Sequence, residues 1–500
     1  MAEADLHVQS VHLAVTSKRC SAVLDGHEAL DAPKAQISAP PLPRTIVTVE
    51  RLHSIRVQQL DTMKDTKAAA LKAHASASTF RRYLAIACFL FLLAIMLYQS
   101  HKYGLALLAL LTASDCAPTE RDVTKPNAEA AYTALQGWYN QSTGLWIPST
   151  GWWNSANCIT AITDLAAVDK NVQSSVQRVL SNTYTKAQQY NLQMLKVPGV
   201  QSRTFLPETY YVSHEPFIPQ EIIRAQGQPR MQATGGFLND YYDDEGWWAL
   251  GWIAAYDLTK NRQYLSQAQT IFADMNKVFG KTNCSKNSKA TGGIWWDKPH
   301  SYVNAIANEL FLSVAASLAN RVKGGNTNYL AIAKQQWSWF QGTGMINTAF
   351  TINDGLDQKT CKNNQGTVWS YNQGVILGGL AELSKATGDK SLIRTAQKIA
   401  DAAIAKLAPN GILTDPCEPN CGADGAQFKG VFVRNLQILQ KASPQARFAR
   451  FLDANADSIW RNDRNNRNEL GVRWTGPFVA PATASTQSSA LDALVASLAT

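Results

Sequence analysis

Tryptophan is absent from the first 137 residues of this 500-residue chain, although 14 follow between Trp138 and Trp474. A stretch without tryptophan lacks the side chain that buries the most surface, which argues against an ordinary core there. The chain therefore divides near residue 115 into a poorly packing front and one long aromatic-rich body. Residues 1–80 are rich in Ala, Ser, Pro and Lys, include Pro40-Pro41-Leu42-Pro43 and show no sustained helical or strand period. That composition predicts a disordered segment.

Nucleotide and nucleic-acid signatures are missing as well. Gly235-Gly236 and Gly292-Gly293 lack the GxGxxG and GKT patterns and read as turns, and the net charge of +9 comes without a basic stripe interleaved with aromatics. No nucleic acid is expected as a partner. No second close cysteine pair or neighbouring histidine pair completes a zinc site around Cys417 and Cys421, so no metal and no other cofactor is expected. Nothing in the sequence signals an oligomeric state.

Two apolar runs lie between residues 81 and 114. Arg81-Arg82 introduces a run from Tyr83 to Tyr98, and a second extends from Leu105 to Ala113. If translation starts at Met1, residues 83–98 are a short signal anchor of a type II membrane protein. If it starts at Met96, Met96 to Lys102 is a positive n-region, Leu105 to Leu111 the apolar region and Thr112-Ala113-Ser114 the cleavage site, which is the favoured account. Both deliver residues 115–500 to the secretory pathway, as a secreted or cell-wall protein. The body's cysteines, Cys116, Cys158, Cys284, Cys361, Cys417 and Cys421, form an even set consistent with a disulfide framework, with Cys417–Cys421 closing locally over Pro419. Asn140-Gln141-Ser142 is a glycosylation sequon and Asn283-Cys284-Ser285 a weaker one.

Within the body, Trp247 to Met275, Asn304 to Phe340 and Asn372 to Leu407 each read as helix, turn, helix, with Leu265, Leu330 and Leu392 opening the second helix at intervals of about 60 to 65 residues. Further helices are expected near 127–140, 154–168, 174–192, 430–441, 446–461 and 488–498. The total is six hairpins, which makes the fold all-α, an (α/α)6 barrel, with an open helical solenoid as the alternative. Val197 to Gly236, with several prolines and few helical signals, reads as a long loop over a cleft. The end of the chain, Ser488 to Thr500, reads as an amphipathic helix rather than a hydrophobic anchor tail.

The chemistry is concentrated in Phe237 to Trp248, where Asp240, Asp243, Asp244 and Glu245 sit among aromatic rings. A run of acids is usually a solvated face or a helix's first turn. Tyr241, Tyr242, Trp247, Trp248 and Trp252 would be costly to leave in water, however, so these acids are expected to be half buried. Two carboxyl groups of opposite protonation state beside aromatic faces are what glycoside hydrolysis requires. Other polar and aromatic groups recur where alternate helices begin: Trp152-Trp153, Trp295-Trp296-Asp297, Asn304, Tyr371-Asn372-Gln373, Phe428-Lys429 and Thr486-Gln487. In a closed ring they converge on one end and line a cleft for polyhydroxylated chains. Individually, Trp295 and Trp296 also suit a core, Asn304 and Gln373 suit helix caps, Lys429 and Arg434 could pair with Asp424, and Glu309 suits a satisfied buried acid.

These residues resemble glycoside hydrolase family 76, the α-1,6-mannanase family, and its fungal members in particular. The matching motifs are Gly151-Trp152-Trp153-Asn154, Tyr241 to Trp248, Gly292 to Trp296, Asn304 to Leu312, Tyr371 to Gly374, Asp415 to Pro419, Phe428 to Arg434 and Arg473-Trp474. The resemblance implies an (α/α)6 barrel and a retaining mechanism acting on α-1,6-linked mannan or mannosylated wall glycans, with Asp243 as nucleophile and Asp244 as general acid and base. Retention needs carboxyls about 5 to 5.5 Å apart, which neighbours reach if the backbone before the helix is not helical. Substrate contacts are expected from Trp152, Trp153, Asp240, Tyr242, Trp247, Trp295, Trp296, Asn304, Tyr371, Asn372, Gln373, Phe428, Lys429 and Arg434. The rival expectations are a wall transglycosidase sharing the covalent intermediate, a mannan-binding protein without catalysis, and a uronic-acid enzyme, which would want a more basic cleft.

Overall fold

The computed structural model describes residues 123–189, 194–196, 209–211 and 236–500 except Ser288. The expected disordered and signal segments, the candidate anchor at 83–98, Cys116 and most of the 197–236 loop lie outside the described residues. None of the described helices is long and apolar enough to cross a membrane.

Twelve helices of at least twelve residues follow one another among the described residues. They are α1 (Lys125–Gln136), α2 (Trp152–Val168), α3 (Gln173–Lys186), α4 (Tyr242–Thr259), α5 (Arg262–Asn276), α6 (Ala305–Arg321), α7 (Tyr329–Gly342), α8 (Ser370–Thr387), α9 (Lys390–Leu407), α10 (Phe428–Ala442), α11 (Ala446–Asn462) and α12 (Ala484–Leu498). A two-stranded ribbon, β1 (Met194–Lys196) with β2 (Thr209–Tyr211), pairs Met194 with Tyr211 between α3 and α4.

Burial separates two classes of helix. α11 is amphipathic, burying Phe448, Phe451, Leu452, Asn455, Ala456 and Ile459 at helical spacing and leaving its other side to solvent. By contrast, α2, α6 and α12 are buried almost all round. Contacts between elements give the reason: α2 packs on α4, α4 on α6, α6 on α8, α8 on α10, α10 on α12, and α12 on α2. The ring closes. A solenoid would leave the first and last inner helices apart, so this contact decides for the (α/α)6 barrel. The remaining helices form the outer layer, α3, α5, α7 and α9 each against its preceding inner helix, α11 against α10 and α12, and α1 against α12.

Glycine allows the inner helices to approach backbone to backbone. A Cβ on Gly374 of α8 would meet the Phe432 Cα at 2.6 Å, and one on Gly430 of α10 would meet the Ser489 Cα at 2.5 Å. Arg434 ties three staves, donating from α10 to Asp492 of α12 at 2.9 Å and to Asn157 of α2.

Two expectations require correction here. Every residue of α12 from Ala484 to Ser497 is buried, so the last helix is a barrel stave and not an amphipathic surface helix. The inner helices also begin earlier than their apolar periodicity indicates, α2 at Trp152, α4 at Tyr242, α8 at Ser370, α10 at Phe428 and α12 at Ala484. Their first turns carry tryptophans, acids and small polar residues, which mask the hydrophobic period.

Disulfides join Cys284 to Cys361 and Cys417 to Cys421. Cys158 is a free thiol buried in α2, so the six body cysteines do not form three bridges. Burial pushes its pKa up to about 12.

Candidate active site

Because inner and outer helices alternate in direction, the N-terminal ends of all six inner helices share one end of the ring. At α4 that end carries three acids in its first turn, Asp243, Asp244 and Glu245, after Tyr241, whose backbone is extended. The acidic pair therefore lies within the helix and not before it, which corrects the expectation that non-helical backbone brings the two carboxyls together. The positive end of the helix dipole favours carboxylates at this place, and the first-turn amides supply donors.

A loop between α5 and α6 is fastened alongside. The Tyr242 amide donates to the Trp296 carbonyl at 2.9 Å, and the Lys298 amide donates to the Asp240 carbonyl at 2.9 Å. This pairing carries the Trp296 indole to the acids. Its Nε1 donates to Asp243 Oδ2 at 3.0 Å, while the Asp244 amide donates to Asp243 Oδ1 at 3.0 Å. Asp243 is 7% exposed and Asp244 wholly buried, the latter accepting from Asn239 Nδ2 at 2.7 Å. Glu245, also wholly buried, is bridged to Asp274 by the Lys298 ammonium at 3.0 and 2.9 Å. Burial holds the Glu245 carboxyl well above the usual range, against the pull of Lys298. Asp240 is partly exposed and also shifted upward, again by burial.

Aromatic rings and further acids surround the pair. Trp153 stacks on Trp247 at 5.6 Å and donates from Nε1 to Asp424 at 2.9 Å. Tyr371 lies face to face on Phe428 at 3.8 Å, and the half-exposed Trp295 stacks on His300 at 5.2 Å. Tyr242 is buried under the Lys298 ammonium, which lies 5.8 Å from its ring centre. Asp354, on the loop before α8, accepts from the Tyr302 hydroxyl at 2.8 Å, with Asn372 buried beside it. Burial raises the Asp354 carboxyl in spite of these donors, and Asp243 adds a like charge. Glu309 is wholly buried in α6, and burial, with Asp354 next, raises it far above its usual value.

The expected site residues thus separate. Asp240, Tyr242, Asp243, Asp244, Trp296, Tyr371 and Asn372 gather about the acidic pair or the Asp354 loop, and Trp153, Trp247, Trp295 and Phe428 line neighbouring inner-helix ends. Trp152 is wholly buried against Trp248. Asn304 caps α6 through the Ala307 amide, and Gln373 clamps Ile352 by two hydrogen bonds of 2.8 Å, fixing the loop that bears Asp354. Lys429 is 1% exposed and turned into an ion pair with Glu418 at 2.6 Å, and Arg434 is bound to Asp492. Neither pairs with Asp424, which takes the Trp153 indole. Sequence reasoning did not single out Asn239, Lys298 and Asp354. Asn353-Asp354-Gly355 has the composition of a plain turn, and nothing local reveals that Gln373 and Tyr302 hold it at the cleft.

A sequence model of glycosyl hydrolase family 76 matches residues 122–500. The chain belongs to this family. Among curated relatives, the mannan endo-1,6-α-mannosidase DFG5 of Candida albicans is 24% identical over 64% of this chain and 65% of its own length. A putative mannan endo-1,6-α-mannosidase of Schizosaccharomyces pombe is 27% identical over 40% of this chain and 48% of its own. The chain thus spans about half to two thirds of the relatives it matches. Among solved structures, an inactive variant of the family 76 α-1,6-mannanase GH76A of Salegentibacter, with two consecutive aspartates changed to asparagine and α-1,6-mannotriose bound, superposes with a TM-score of 0.57. It is 18% identical and covers 75% of this chain and 98% of that one. Dfg5 of Chaetomium thermophilum in complex with glucosamine gives 0.57 at 18% identity, covering 76% and 92%. These likenesses are of fold, the helical (α/α)6 barrel of family 76.

Proposed function

We propose that the chain hydrolyses α-1,6-mannosidic bonds within mannan, with retention of configuration. The observation that carries this reading is the consecutive pair Asp243-Asp244, buried in the first turn of an inner helix and ringed by Trp153, Trp247, Trp296 and Tyr371. Family membership and the names of the fungal relatives support it. So does the Salegentibacter mannanase, inactive when two consecutive aspartates are replaced.

In the first step an Asp243 oxygen bonds to the anomeric carbon, the glycosidic bond breaks, and the Asp244 proton passes to the departing sugar oxygen. In the second, Asp244, now a carboxylate, takes a proton from water as the water oxygen bonds to the anomeric carbon, and Asp243 leaves as carboxylate. The Trp296 indole and the Asp244 amide aim both Asp243 oxygens, which suits a group that must begin and end the cycle charged. The partly exposed Trp295 and Tyr371 supply faces for sugar rings, and the partly exposed Asp354 supplies a polar group for hydroxyls. Two disulfides support an oxidising compartment, and hence secretion through a signal or anchor segment at 81–114.

The reading is tested by incubating residues 115–500 with linear α-1,6-mannan and labelled mannobiose. Short free oligosaccharides of retained α configuration are expected. Label entering longer chains would instead identify a transglycosidase, and binding without turnover a mannan-binding protein.

A further inference from the structure

Asn239 lies four residues before Asp243, outside the helix, and is wholly buried. Every polar group of it that the contacts describe is committed. Its amide N–H donates to Glu245 Oε1 at 3.1 Å, its side-chain Oδ1 accepts from the Tyr241 amide at 2.9 Å, and its Nδ2 donates to Asp244 Oδ2 at 2.7 Å. A backbone N–H can only donate, so the Tyr241 amide fixes which end of the carboxamide is oxygen. The NH2 group therefore has to face Asp244. Glu245, which anchors the Asn239 backbone, is in turn held by Lys298 and through it by Asp274, so the turn bearing Asn239 is secured from α5 as well as from α4.

We propose that Asn239 is a positioning residue for Asp244, holding the carboxyl in the orientation in which it gives and takes the transferable proton. The inference rests on Asp244 being the general acid of the proposed reaction. The 2.7 Å hydrogen bond to Oδ2 fixes the plane of the Asp244 carboxyl, from which the proton passes to the departing sugar oxygen and to which one returns from the attacking water. The carboxamide also donates to the carboxylate formed midway through the cycle, stabilising it in the interval before water is deprotonated. Aspartate at 239 would keep the acceptor for the Tyr241 amide and present an oxygen where Asp244 meets a donor.

The experiment compares wild type with Asn239→Asp and Asn239→Ala on linear α-1,6-mannan and on a dinitrophenyl α-mannobioside, whose leaving group departs without protonation. For Asn239→Asp the basic limb of the kcat/KM profile on mannan is expected to move up by about one pH unit or more, because two carboxyls then share a proton. Its kcat on mannan is expected to fall at least about tenfold, with KM nearly unchanged. Asn239→Ala is expected to lose activity on mannan but to keep glycosylation of the dinitrophenyl substrate near the wild-type rate in single-turnover measurements. A purely structural asparagine would give equal losses on both substrates and an unmoved pH limb, and either result overturns the proposal. If Asn239→Ala fails to fold, the near-isosteric Asn239→Asp decides alone. Wild type that cleaves mannan with variants that behave like it refutes only this inference, whereas wild type inert toward mannan refutes the proposed function and this inference with it.

Discussion

The indole nitrogen of Trp296 donates to Asp243 Oδ2 at 3.0 Å across 53 residues of sequence. The candidate nucleophile is thus aimed by a side chain from the next hairpin. Trp296→Phe keeps the ring against Tyr241 and Tyr302 and deletes that one donor. A hydrogen bond to a charged group contributes about 1.5–3 kcal/mol, so kcat should fall about 10- to 100-fold with little change in melting temperature. Steady-state kinetics beside a thermal melt tests this, and an unchanged kcat would show that the indole does not orient Asp243.

Asp243→Asn should abolish turnover on every substrate, whereas Asp244→Asn should affect substrates unequally. Loss of a general acid costs about 100- to 10,000-fold where the leaving group needs a proton and far less where it does not. On mannan Asp244→Asn should be nearly inactive. On a dinitrophenyl mannobioside it should show a burst of dinitrophenol followed by slow deglycosylation, because the base for water is gone. Reversed behaviour of the two variants would exchange their roles.

Lys429 and Glu418 are 1% and 8% exposed and meet at 2.6 Å, with Lys429 also donating to the Val472 carbonyl and lying 4.5 Å from the Trp474 ring centre. Removing one member of such a pair strands the other. Lys429→Met should cost about 3–5 kcal/mol, and Lys429→Met with Glu418→Gln much less than the sum of the two single changes. Urea denaturation of the four proteins measures the coupling. Additive losses would mean that the two groups act independently.

Asp463 is wholly buried, and neither carboxyl oxygen has a hydrogen-bond partner among the described residues. Burial pushes its pKa up to about 8 from 3.8, opposed by Lys429 and Arg473 and reinforced by Glu418. Below pH 4 the group is protonated in folded and unfolded chains alike, and its contribution to stability is fully present. As the pH rises from about 4 to about 8, only the unfolded chain releases the proton, so stability is lost progressively. Asp415, raised to about 6 by burial, acts in the same direction. The barrel should therefore resist urea better at pH 5 than at pH 8, and Asp463→Asn should flatten the decline. A midpoint that rises with pH in wild type would contradict this assignment.

Cys284 and Cys361 are 77 residues apart, Cys417 and Cys421 only 4. Loop-closure entropy gives about 4.5 kcal/mol for the first bridge and about 2 kcal/mol for the second. Cys284→Ser with Cys361→Ser should accordingly lower the melting temperature more than the paired serine changes at 417 and 421. The opposite order would point to native-state effects around the shorter loop.

The sequence made the barrel legible because the leucines opening the outer helices repeat and the polar clusters fall before alternate apolar stretches. It also made the acidic pair legible, since carboxylates among tryptophans are costly to bury without a use. Helix starts were misplaced at the cleft, because Trp152, Asp243 and Ser370 do not follow the apolar period of the helices they begin. Asp354 stayed hidden for a different reason. Its place depends on Gln373 and Tyr302, partners that no local pattern announces. Lys429 and Arg434 looked like cleft cations because the sequence shows a charge without showing the acid it is buried against.

The contact between α12 and α2 joins helices whose sequences start more than 300 residues apart. During synthesis the acids of α4 are made long before α12, so the wall that encloses them lacks a stave until α12 has left the ribosome. A nascent chain that has not yet delivered α12 should therefore have no mannan-cutting activity. Trimming the protein from its C-terminus into α12 should extinguish activity abruptly instead of by degrees, as a cask fails when a single stave is drawn.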